Sequence, residues 1–164
     1  MSAIIQIDNM TKRFGKTVAV DRLNLEVPEG SIFAFLGPNG AGKTTTIKAL
    51  MNIFPPDGGS ATVMGTSSTA LGPEEFRRIG YVSENQQMPG WLTVQELIDF
   101  CEPMYHDWDR DFCARLMKQF DLPPDRKIKN LSRGMKVKAA LLTSLAYRPR
   151  LLMLDGVHLV ARHR

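Results

Sequence analysis

Apolar, β-branched residues alternate with polar ones over residues 4–10, the period of a half-buried strand. Residues 18–20 and 23–27 read as two further short strands, and Glu29-Gly30 as a turn. Residues 31–36, Ser-Ile-Phe-Ala-Phe-Leu, form a continuous apolar run that ends at a glycine. That pattern predicts a buried strand of a parallel sheet. A helix is expected over residues 44–52, stopped by Pro55-Pro56-Asp57-Gly58-Gly59. Residues 61–64 and 80–83 are again short strands.

The period then changes. Thr93-Val94-Gln95-Glu96 has the spacing of a capping box and opens a helix with Leu97, Phe100, Cys101 and Met104 on one face. A second helix is expected over residues 109–120, aligning Phe112, Leu116 and Phe120. Pro123-Pro124 breaks the chain. Ser132 can cap a third helix that runs to about Tyr147 and stops before Pro149. Residues 151–154 return to an apolar strand. The layout is a β-rich start, an α/β core, an inserted helical region near residues 88–148 and a return to the core. No repeat and no low-complexity tract interrupts it.

Composition adds little to this picture. The 164 residues suffice for one domain, and 43% hydrophobic with 23% charged residues is ordinary for a globular chain. No run of 18 apolar residues predicts a membrane span, and no basic segment with an apolar run opens the chain. Cys101 and Cys113 make no metal-ligand pattern and read as two reduced thiols. Charge does change the picture. Residues 110–164 hold 13 basic and 4 acidic side chains, a net of +9, and the remainder nets −5. Such a basic half suits a partner-facing or phosphate-adjacent surface. Without an interleaved aromatic patch or a nucleic-acid motif, no nucleic-acid partner is expected.

Chemistry concentrates in a few segments. Gly37-Pro38-Asn39-Gly40-Ala41-Gly42-Lys43-Thr44 fills every fixed position of the P-loop pattern, between an expected strand and an expected helix. Its glycines let the backbone wrap a phosphate while amides and the helix N-terminus face the anion. Lys43 reaches the β- and γ-phosphates, Thr44 offers a hydroxyl to Mg²⁺, and Thr45 can touch phosphate. The alternative is a glycine-rich turn that binds nothing. Leu151-Leu152-Met153-Leu154-Asp155 is an apolar strand ending in a carboxylate, where a P-loop ATPase needs an acid for Mg²⁺. Leu131-Ser132-Arg133-Gly134-Met135-Lys136 opens a helix with a hydroxyl and a glycine, an arrangement that can bind an anion or simply cap the helix.

Taken together, these residues resemble the nucleotide-binding domain of ABC transporters, with matches over residues 3–155. Residues 131–136 resemble the family's signature, in which Ser132 and Gly134 match while Arg133 and Met135 depart from the commonest form. Ile79-Gly80-Tyr81-Val82-Ser83-Glu84 resembles the segment leading into the Q-loop, with Glu84 in place of the glutamine and Gln86 as a displaced second candidate. Lys12-Arg13-Phe14-Gly15 resembles the A-loop, whose aromatic stacks on adenine. A core phenylalanine is the other reading of Phe14. The resemblance implies an α/β P-loop NTPase (RecA-like) core in residues 1–87 and 149–155, with an N-terminal antiparallel β subdomain. Residues 88–148 would be the helical, signature-bearing subdomain. It further implies an ATPase that binds ATP and Mg²⁺ and couples hydrolysis to transport through a separate integral-membrane subunit, of exporter type. Two nucleotide-binding subunits would sandwich ATP, each offering Ser132 and Gly134 to the other's nucleotide. The location would be cytoplasmic, at the inner face of the membrane.

Residues 156–164 do not resemble the family. Where the family has a catalytic glutamate stands Gly156, and no D-loop or switch-histidine strand follows. The resemblance places that histidine strand between the P-loop strand and the Asp155 strand. The expectation is therefore a domain lacking the C-terminal part of its core, through a frameshift or early stop in the gene or as a short form. Hydrolysis by this chain would be impaired. Two further readings stay open: a soluble ABC ATPase outside transport, and an inactive remnant. A P-loop kinase or GTPase would leave the signature helix unexplained, and no guanine-specificity motif accompanies the P-loop.

Overall fold

The computed structural model describes residues 2–83 and 85–156. Alternation in residues 4–10 produces a longer strand than expected, β1 (Ala3–Phe14), with Ile5, Ile7 and Met10 buried on one side. It pairs antiparallel with β2 (Thr17–Pro28) and, on its other edge, with β3 (Gly58–Val63). The short β4 (Thr66–Ser67) completes the order β2-β1-β3-β4. The two strands expected over residues 18–20 and 23–27 are one strand with an irregularity. Asn9 and Arg22 both take left-handed backbone conformations there, at φ 47° and 45°. Their amides stay satisfied, that of Asn9 donating to Asn24 Oδ1 (2.9 Å) and that of Arg22 to Thr11 Oγ1 (3.1 Å). Helix α1 (Lys43–Leu50) buries Thr46, Ile47, Ala49 and Leu50 and packs on β2 and β3.

The strand expected over residues 31–36 does not form. These residues join no sheet, Ile32 is fully exposed, Leu36 is nearly so, and Phe33 and Phe35 meet edge to face. An apolar run specifies a buried parallel strand only when neighbours take up its backbone groups and cover both faces. Among the described residues no strand does this. Such an exposed apolar segment is prone to self-association. The purified chain should therefore bind a hydrophobic dye and aggregate, and the double change Ile32→Lys and Leu36→Lys should reduce both. A monodisperse wild-type monomer with a sharp cooperative melt would contradict this.

A single helical turn, α2 (Pro73–Phe76), lies at the division between two compact units, Met1–Glu74 and Glu75–Arg164. In the second unit β5 (Ile79–Ser83) pairs in parallel with β6 (Leu151–Asp155), from Ile79↔Leu151 to Ser83↔Asp155. These strands thus share a unit with the helices, a different partition from the segments 1–87 with 149–155 and 88–148 drawn on sequence. Val82, Val137, Ala140 and Leu141 form a buried cluster, with Leu152 against it. The Tyr147 hydroxyl donates to Ile79 O at 2.8 Å.

Three helices build the larger core of this unit: α3 (Val94–Cys101), α4 (Arg110–Gln119) and α5 (Arg133–Leu145). Thr93 and Ser132 are N-caps as the sequence nominates them, and Asp109, expected as the first residue of its helix, is a third N-cap. Thr93 and Glu96 form both bonds of the capping box, Asp109 accepts from the Phe112 amide, and Ser132 accepts from the Met135 amide. A cap of this kind contributes about 1 kcal/mol. Val94, Leu97 and Ile98 turn into the core with Cys113, Leu116 and Leu142. Phe100 and Met104, expected on that face, are exposed. Phe100 lies off the stripe set by residues 94, 97 and 98, and α3 ends at Cys101, where a 3-10 turn (Glu102–Met104) takes over. No described helix is long and apolar enough to cross a membrane.

Candidate functional site

The P-loop is built as an anion cradle. Gly42 is the N-cap of α1, in a left-handed conformation (φ 80°) that only glycine adopts without cost. Space demands glycine as well, because a Cβ there would stand 2.4 Å from Ala19 O. No side chain caps the helix, and no acid lies in its first turn. The positive end of α1 can therefore face an anion. Lys43 folds back over the loop, its ammonium donating to the carbonyls of Gly37 and Pro38, the latter at 2.7 Å. Thr44 is exposed and Thr45 half-buried at the start of the helix.

A cavity of ≈ 330 Å³ opens here, lined by residues 39–45 and by Thr17, Val18 and Ala19 of β2. So Asn39, Gly40, Ala41, Gly42, Lys43, Thr44 and Thr45 share one wall, whereas Gly37 and Pro38 hold Lys43 from behind. The three β2 residues escape sequence reading, because no motif marks them and only the packing of β2 beside the loop brings them in. Phe14 is not in the lining. It pairs with Thr17 across the Gly15-Lys16 turn, half-exposed, with its ring edge to face on Phe54 at 5.4 Å.

In the second unit, Asp155 ends β6 with its carboxylate buried. Tyr81 of β5 donates its hydroxyl to Asp155 Oδ2 at 3.4 Å. Burial first, and then the neighbouring carboxylate, push the Tyr81 hydroxyl pKa up, so it stays a donor. Tyr81 is a further residue that motif reading passed over. Gly156, next in sequence, is exposed at φ 66°. Ser132 and Gly134 are both exposed at the start of α5. Glu84 lies outside the described residues, whereas Gln86 is exposed beside Ser83, whose amide it accepts at 3.4 Å.

The family model described as ABC transporter matches residues 20–157. The chain belongs to that family. A probable multidrug ABC transporter ATP-binding protein of Escherichia coli K12, YbhF, is 32% identical over 157 residues, covering 93% of this chain and 27% of the relative. The daunorubicin/doxorubicin resistance ATP-binding protein DrrA of Streptomyces peucetius is 35% identical, covering 92% of this chain and 47% of its own length. The probable sulfate/thiosulfate import ATP-binding protein CysA of Chlorella vulgaris is 34% identical, covering 92% and 66%. This ABC family member thus spans two thirds or less of these curated relatives. Solved structures agree in fold. An ATP binding subunit of an ABC transporter superposes with a TM-score of 0.81 at 22% identity over 93% of this chain and 65% of that one. The cbiO1 protein of Clostridium perfringens, part of the ABC transporter complex cbiONQ, gives 0.74 at 20% identity over 94% and 66%. The fold class is therefore that of ABC nucleotide-binding domains, α/β with an antiparallel β subdomain.

Proposed function

We propose that this chain is the ATP-binding part of an ABC transporter ATPase, working with a separate membrane subunit and of exporter type. The observation that carries the reading is the uncapped N-terminus of α1, wrapped by a glycine loop and served by the Lys43 ammonium. That arrangement suits a polyphosphate: amides take the oxygens, and Lys43 exchanges its two carbonyls for the β- and γ-phosphates. Phe14 supplies the π-face for adenine. Ser132 and Gly134 serve a nucleotide held by a second subunit. The multidrug and drug-resistance names of two relatives support the exporter assignment.

Magnesium fits the donor set. The ion takes few protein oxygens and fills its shell with water and phosphate. The buried Asp155 carboxylate and the exposed Thr44 hydroxyl are each oxygen donors of the kind it takes, and no acidic cluster occurs among the described residues. When bound, the ion neutralises charge on the phosphate oxygens. Glu84 remains the proposed Q-loop residue.

Nucleotide titration tests the reading. Phe14→Ala should weaken ATP binding by about 1–3 kcal/mol, the worth of a base on an aromatic ring. It should leave inorganic triphosphate unchanged. Equal losses for both ligands would sink the adenine assignment, and no binding of either ligand by the wild type would sink the whole reading.

A further inference from the structure

Phe14 is held from behind by Lys12 of its own segment and by Phe54 and Asp57, which no motif predicts. Lys12 is buried although it carries a charge, and its ammonium lies 5.6 Å from the Phe14 ring centroid and 5.2 Å from that of Phe54. A buried ammonium persists only when paired. Here it donates to Pro55 O at 2.8 Å and to Asp57 Oδ1 at 3.2 Å. The other carboxylate oxygen, Asp57 Oδ2, accepts from the Arg13 amide at 2.6 Å, and the Asp57 amide donates to Thr11 O at 2.8 Å. Asp57 thus fastens three consecutive residues, Thr11, Lys12 and Arg13, immediately before Phe14. The connection is tight. At Gly59, two residues on, a Cβ would stand 2.3 Å from Asn9 O.

We propose that Lys12, fastened by Asp57, is a positioning residue for nucleobase recognition: it holds the Phe14–Phe54 ring pair so that the open half of Phe14 faces the base. This rests on the reading of Phe14 as the adenine platform. An edge-to-face pair would otherwise be free to turn at Phe14 χ1, since the ring is half-exposed. A cation shared between the two rings favours the one arrangement in which both lie against it. The base then meets a ring already in place, and less side-chain freedom is lost on binding. Phe54 enters as the second ring of the device.

The test compares ATP with inorganic triphosphate on the 164-residue chain carrying Lys12→Met, Lys12→Arg, Asp57→Asn or Phe14→Ala. Lys12→Met should weaken ATP about three- to tenfold, the scale of a lost cation–π contact, and leave triphosphate binding unchanged. Lys12→Arg keeps a cation over both rings and should retain ATP affinity. Asp57→Asn, a mild change at an exposed side chain, should shift ATP affinity in the same direction by less. Unchanged triphosphate affinity also reports that each variant folds. If Lys12→Met weakens both ligands equally, Lys12 supports the fold alone and the proposal falls. If Phe14→Ala weakens ATP selectively and neither Lys12→Met nor Asp57→Asn does, the platform stands and the role of Lys12 is overturned. If Phe14→Ala has no selective effect, the platform and the proposal fall together.

Discussion

Steady-state ATP hydrolysis by the 164-residue chain should lie about 10²–10⁴-fold below that of a family member with a glutamate after its strand aspartate. Gly156 occupies that place, and glycine has no group to take a proton from water or to orient it. Restoring the acid alone should not recover turnover. Gly156 sits at φ 66°, where a residue with a Cβ is strained by about 1–2 kcal/mol, so Gly156→Glu has to rebuild the backbone before it aims a carboxylate. Residues 158–164 also lie beyond the stretch that the family model matches. Replacing residues 156–164 by a family-like continuation, glutamate through switch histidine, should restore hydrolysis when the membrane subunit is present. Phosphate release at saturating Mg-ATP separates the three proteins. Robust turnover by the unmodified chain, abolished by Lys43→Ala, would show that Gly156 does not limit the chemistry.

Lys43→Ala should remove most nucleotide affinity. The ammonium already lies over the loop, donating to Gly37 and Pro38, so phosphate binding replaces two carbonyl acceptors with charged oxygens. A hydrogen bond to a charged group contributes about 1.5–3 kcal/mol, which predicts a loss of about 10- to 150-fold. The fold should survive, because the Lys43 head group meets only exposed loop carbonyls. Fluorescent-nucleotide titration, with a thermal melt as the control for folding, measures both. Equal affinity in wild type and variant would refute the assigned role.

What could be read from the sequence depended on whether a feature is local. The caps Thr93, Asp109 and Ser132 and the glycines of the P-loop act within four residues of themselves, and their positions in the structure follow from short patterns. The run at residues 31–36 failed because a parallel strand is completed by neighbours that its own residues do not encode. Phe100 departs from the expected face because it lies off the stripe of Val94, Leu97 and Ile98, and Met104 because α3 ends at Cys101. The groups behind Phe14 were invisible for a related reason. Asp57 and Phe54 lie 43 and 40 positions from Phe14 and reach it only through the pairing of β1 with β3. Thr17, Val18 and Ala19 became cavity walls through packing, and Tyr81 met Asp155 only because β5 and β6 are in register.

The β5–β6 pairing has a kinetic consequence. Ile79 and Leu151 are partners separated by 72 positions, and α3, α4 and α5 lie between them. Closing a flexible loop of that length costs about 4 kcal/mol of chain entropy, against one short parallel ladder in return. Because contacts within and among the three helices are more local, the helices should condense first and the two strands zip late in folding. The β1–β2 hairpin, turning at Gly15-Lys16, carries no such delay. Asp155 therefore acquires its buried, Tyr81-bonded setting in one of the last steps, well after the loop that cradles phosphate has a hairpin to rest on. A newly made chain would complete the proposed phosphate loop before it completes the proposed metal ligand.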